Sequence, residues 1–210
     1  MVQVDYRGKR GANAGDDFHE LWALRHALSL LDPDTDLIAV KVEGVRGEDE
    51  SGAPKDTWDG VDCSFYYGND QTGSVEHIVI DQLKYSGANP GHAWTIAQLT
   101  RSSNKKQDNS VIARLAKAFA GMNSQQPDLV ANGNVVVRLV SNQPIDPTVL
   151  KALSGQSTST QRSNKRLRSK PDYADLKAAS ELHDDEFELF VKNLDFSECG
   201  RGAIKSETPA

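Results

Sequence analysis

The chain has 210 residues, 38% of them hydrophobic and 26% charged, with 24 Lys and Arg against 30 Asp and Glu. That length supports one sizeable core, and a formal net charge of −6 excludes nucleic-acid binding by overall charge, leaving local basic patches as the only route. Two distant cysteines, Cys63 and Cys199, support neither a disulfide framework nor a zinc site. No apolar run reaches membrane-spanning length, and "MVQVDYRGKRGANAGDD" lacks a signal-peptide core, so no membrane partner and a cytoplasmic location are expected.

Residues 1–11 read as a flexible arm. In "GANAGDDFHELWALRHALSLL", Gly15 and Asp16 mark a helix start, and Phe18, Leu21, Trp22, Leu28 and Leu31 recur at helical spacing. "DPDTD" ends this helix. "LIAVKVEGV" (37–45) is β-branched and reads as a strand, and "RGEDESGAPKDTWDG" as a loop. "VDCSFYYG" (61–68) alternates, and "HIVIDQLKYS" (77–86) is the next strand; three strands so close in sequence predict an antiparallel meander. A helix is expected within 93–107, broken around "SSNKKQDN", and a stronger one in "SVIARLAKAFAGM". "NVVVRLVSN" (134–142) is a fourth strand. "DPTVLKALSG" opens a helix with Asp146 as cap and Pro147 at its first position. "QSTSTQRSNKRLRSK" is a basic loop, and "PDYADLKAAS" and "DDEFELFVKNLDF" are two short helices. The predicted class is mixed α/β. Its core is expected over 12–145 and a helical appendage over 146–200, with the basic loop at 156–170. The tail, 201–210, shows no packing pattern and reads as leading to a further module.

Chemistry is sought where polar residues sit on apolar elements. Glu43 lies near the end of the first strand, Asp62 at the start of the second, and Gln82 and Lys84 share a face of the third, because residues two apart on a strand point the same way. Glu20 lies on the first helix, in line with Leu24 and Leu31. A hard cation such as Mg²⁺, or Mn²⁺ in its place, takes oxygen ligands. Asp62 and Glu43 supply carboxylates, and Gln82 an amide oxygen, with the backbone carbonyl of Leu83 as the alternative. Lys84 would orient a metal-bound water or stabilise the extra negative charge of a phosphoryl transition state. Taken singly, each residue has an ordinary structural explanation. Lys84 can snorkel, Asp62 can follow a turn, Glu43 can pair with Lys41 or Arg46, and Glu20 can border a helix face. The histidines at 19, 26, 77 and 183 show no ligand spacing.

The ordered set, however, resembles the PD-(D/E)XK nuclease superfamily in its Gln-x-Lys variant. The match places the family's strand-two Asp on Asp62, its D/E-x-K on Gln82-Leu83-Lys84, its extra acid on Glu43 and its helical Glu on Glu20. Within that group, "GANAGDDFHELWAL", "VKVEGV", "DGVDCSF", "IDQLKYS", "VSNQPI" and "FELFVKNLDFSECG" together look like the N-terminal Cap-type endonuclease domain of bacterial antiphage proteins, over residue 11 to about 200. The resemblance implies a restriction-endonuclease-like core of helix, three-strand meander, crossover helix and fourth strand. It also implies metal-dependent hydrolysis of double-stranded DNA with little sequence specificity. Activation would come from homo-oligomerisation, directed by a C-terminal sensor module or a partner ATPase. The glutamine at 82 departs from the parent motif by one charge and keeps open a non-catalytic nuclease-like module that binds DNA or docks a partner; a nuclease that cuts RNA is a further alternative.

Phosphate contacts supply most non-specific DNA affinity. The candidates are Arg101, Lys105 and Lys106 after the crossover helix, and Arg162, Lys165, Arg166, Arg168 and Lys170 in the basic loop, with a solvated charge run as the ordinary alternative.

Overall fold

A computed structural model describes residues 7–54, 56–69, 72–102, 109–154 and 171–200. In chain order the elements are α1 (Arg7–Leu28) with a 3-10 turn at Ser29–Leu31, β1 (Leu37–Val42), α2 (Gly47–Glu50), β2 (Cys63–Asn69), β3 (Ser74–Lys84), α3 (Ile96–Leu99), α4 (Val111–Gln125), α5 (Pro127–Ala131), β4 (Val135–Ser141), α6 (Pro147–Ser154), α7 (Pro171–Ser180), α8 (Asp184–Lys192) and β5 (Leu194–Asp195). The five strands form one mixed sheet in the order β1-β2-β3-β4-β5. The first three pair antiparallel, as their short connections require, and β4 pairs parallel with both β3 and β5. A parallel neighbour needs a long crossover, and residues 85–134, with α3, α4 and α5, provide it.

Strand alternation divides the apolar side chains between two faces. Tyr66, Ile78, Ile80, Val137 and Leu139 pack in one cluster with Leu115 and Phe119 of α4. Cys63, Phe65, Val79, Leu83 and Val140 pack on the other face under Phe18 and Ala23 of α1. α4 is set by its sequence. Ser110 caps it by accepting from the Ala113 N–H, and its apolar stripe buries Val111, Ile112, Leu115, Phe119 and Met122.

Several boundaries differ from the sequence expectations. α1 begins at Arg7, inside the predicted arm, and runs through Gly8, Gly11 and Gly15, although each glycine costs a helix about 1 kcal/mol. Among the described residues of the helix expected over 93–107 there is one turn, Ile96–Leu99, closed by a reciprocal Thr95–Gln98 capping box. β1 stops at Val42, because Glu43 takes φ of 56° and Gly44 φ of 107°, both outside the strand region. The loop after it contains α2, and α5 and β5 are too short to leave a periodic signal. The C-terminal helices do not stand apart. Tyr173, Leu176, Phe187 and Phe190 belong to the same cluster as Phe119, and β5 extends the sheet. The basic loop 156–170, the tail and Lys105 and Lys106 lie outside the described residues.

Candidate active site

Strand pairing brings the ends of β1, β2 and β3 together. Val42 lies opposite Cys63, and Cys63 opposite Asp81. One step further along the ladder, the Glu43 N–H donates to the Asp62 carbonyl at 2.8 Å and the Asp62 N–H to the Asp81 carbonyl at 3.0 Å. The backbones of Glu43 and Asp62 therefore lie side by side at the strand ends, and Gln82, next to Asp81 on β3, completes a backbone row across them. The Asp62 carboxylate is held by the Leu83 N–H, which donates to Oδ2 at 2.6 Å. Its other oxygen lies 3.8 Å from Nδ1 of His19 on α1.

Gln82 is buried, 1% exposed, and neither its Oε1 nor its Nε2 has a hydrogen-bond partner. Such a group normally costs about 1–3 kcal/mol, so its presence calls for a local reason. Lys84 follows on the same face. Burial pulls its ammonium pKa below the usual lysine value; the Asp62 charge opposes that shift and the Arg114 charge of α4 reinforces it. Asp62 and Lys84 are thus electrostatic neighbours, and Arg114 supplies a second cation. Gly60 explains how α4 comes so near: a Cβ there would sit 2.5 Å from the Arg114 Cβ.

A cleft of about 560 Å³ is lined by Glu43, Glu50, Trp58, Asp59 and Asp62 among others, but not by Gln82 or Lys84. Its rim is pinned from below. Ser64 Oγ donates to the Gly44 carbonyl at 2.9 Å, the Tyr66 hydroxyl accepts from the Arg46 N–H at 2.8 Å, and Lys117 holds Asp56 at 2.8 Å. Glu50 closes over Gly44, where a Cβ would lie 3.3 Å from Glu50 Oε1. Among the described residues, no group of three or more His, Cys, Asp or Glu side chains is gathered in a metal-holding cluster. The donor set in the row is two carboxylates and one amide. A cysteine nucleophile is disfavoured, because burial pushes the Cys63 thiol up to about 12, helped by the charges of Asp81 and Asp62.

Behind the row, Asp81 has a structural task. Its side chain is fully buried and accepts from Arg138 Nε and Nη2, both at 2.8 Å, and from Trp22 Nε1 at 2.7 Å. Burial pushes its carboxyl pKa up while Arg138 and Trp22 pull it back. This network ties α1 to the sheet and so brings His19 to Asp62.

The structure places one catalytic candidate away from Asp62. Glu20 is exposed on α1, and the α1 side chain beside Asp62 is that of its neighbour, His19. Arg101 is exposed after α3. The sequence reading missed His19, Glu50, Asp59 and Arg114. Only the acid-rich "GEDE" offered a signal, for Glu50; the others come to the site through packing between elements distant in sequence. No family model matches the chain, and no curated protein matches it.

Proposed function

We propose that the protein is a metal-dependent endonuclease of the PD-(D/E)XK kind, hydrolysing phosphodiester bonds of double-stranded DNA with little sequence specificity. In this reading it is the effector domain of an antiphage defence system, switched on when copies assemble. The observation that carries the proposal is the buried, unpartnered Gln82 amide, on β3 near the strand ends that carry Asp62 and Glu43 and followed on its face by Lys84. An amide whose two polar atoms lack protein partners is suited to a ligand that supplies them: a cation for Oε1 and a phosphate oxygen for Nε2.

Two carboxylates plus an amide oxygen fit Mg²⁺ or Mn²⁺, which binds few protein oxygens and keeps several waters. Such an ion, when bound, lowers the pKa of the attacking water and offsets phosphate charge. Asp62 is held for this work by the Leu83 N–H, and Glu43 closes the other side of the row. Lys84 and Arg114 supply positive charge to the phosphate as its negative charge grows.

The test is incubation of supercoiled plasmid with the protein and Mg²⁺. The expected result is nicking and degradation that disappears with EDTA, with Lys84→Ala and with Asp62→Asn. Binding without degradation at any metal concentration would favour a non-catalytic module, and degradation of RNA alone would move the substrate class.

A further inference from the structure

The side of α1 turned away from the sheet is apolar. Leu21 is 48% exposed, Leu24 54%, Leu28 56% and, in the 3-10 turn, Leu31 79%. The spacing of Leu21, Leu24 and Leu28 on α1 is that of one a/d repeat of a coiled-coil seam, and Leu31 extends it in sequence into the 3-10 turn. They are not needed by the core of this copy, which α1 meets with Phe18, Trp22 and Ala23. A stripe of exposed leucines on an otherwise polar helix marks an interaction surface.

The flanking charges indicate what covers it. Glu20 immediately precedes the first stripe leucine and Arg25 immediately follows the second, the two positions whose charges set partner and orientation in coiled coils. In a parallel pair of this helix with itself, Glu20 of one copy faces Arg25 of the other, twice, by symmetry. An antiparallel pair sets each flank against its like. We propose that α1 is a homodimerisation helix: a second copy of this chain covers Leu21, Leu24, Leu28 and Leu31 in a parallel two-stranded seam, with Glu20 and Arg25 paired across it.

The seam is short, because the next two stripe positions toward the N-terminus are Asp17 and Ala14. Four leucines bury less than the roughly 800 Å² per partner of a standard interface, so the dimer is weak and forms at micromolar concentration. His19 beside Asp62 lies on the same helix, so the parallel arrangement brings both candidate sites to one end of the pair. That last consequence rests on the proposed nuclease reading; the dimer does not.

Sedimentation equilibrium of the 210-residue chain, from micromolar to near-millimolar concentration, tests the seam. Wild type is expected to pass from monomer to dimer, and Leu24→Glu to raise the dissociation constant by about tenfold or more with its circular dichroism unchanged. A short bis-maleimide reagent is expected to join Leu21→Cys to itself and Leu28→Cys to itself, with wild type as the control for Cys63 and Cys199. A monomer throughout the range overturns the proposal, as does a dimer indifferent to Leu24→Glu. Failure of either cysteine variant to cross-link overturns the parallel arrangement. None of these readouts depends on cleavage, so an inactive dimer would count against the nuclease reading alone.

Discussion

Lys84 and Gln82 pose the same question in two forms: what holds a polar group at the buried end of a strand. For Lys84 the folded pKa lies below the usual 10.5, because burial penalises the ammonium. The unfolded chain then holds that proton more tightly than the folded one. The cost is fully present below the folded pKa and fades as pH rises toward 10.5. Lys84→Met is therefore expected to stabilise the fold at pH 7, and the gain should shrink by pH 10 when urea midpoints are compared. For Gln82 the expected behaviour is metal-linked. Gln82→Glu restores the carboxylate of the parent motif, so without metal it should lose about 3–5 kcal/mol by leaving a buried charge unpaired, and with Mg²⁺ its melting temperature should rise more than that of wild type. A calorimetric titration showing no added Mg²⁺ response would remove Gln82 from the proposed ligand set. Gly60 is the third residue with a distinct requirement. Gly60→Ala meets the Arg114 Cβ at 2.5 Å, an atom next to the backbone that has little room to yield. A loss of about 1–3 kcal/mol in urea unfolding is expected.

At the scale of elements, the sheet and α1 depend on each other. Asp81 of β3 is fully buried with a bidentate Arg138 of β4 and the Trp22 indole of α1, so three elements meet at one carboxylate. Arg138→Leu leaves that carboxylate without its cation and is expected to cost about 3–5 kcal/mol. Trp22→Phe removes one hydrogen bond to a charged group and is expected to cost about 1.5–3 kcal/mol. Both are read from urea unfolding at neutral pH. Trp22→Phe also loosens the helix that carries His19, so plasmid cleavage should fall more steeply than stability does. The elements also show how much could be read from the chain. α4 and β2 to β4 were legible because each runs long enough for a period of about 3.6 or 2 to repeat. The end of β1 was not, because Glu43 adopts a positive φ that nothing in "VKVEG" compels except the following glycine.

At the scale of the molecule, acidic net charge and a basic loop at 156–170 predict DNA affinity that is local and salt-sensitive. Neutralising Arg162, Lys165, Arg166, Arg168 and Lys170 together is expected to flatten the dependence of log K on log salt by roughly 0.9 for each DNA phosphate that then keeps its counterion, measured by fluorescence anisotropy on duplex DNA. An unchanged slope would place the phosphate-binding residues elsewhere. Among the described residues no helix is long and apolar enough to cross a membrane. By itself the sequence determined the α/β class and the meander, because strand alternation is local and short connections leave few pairings open. Only the tertiary structure decided that α7, α8 and β5 complete the core, that His19 and not Glu20 stands beside Asp62, and that Arg114 reaches the same corner. Those outcomes depend on the rotation of a helix about its axis and on close approach between elements dozens of residues apart. Such quantities are set by how whole faces pack, and no local period records them.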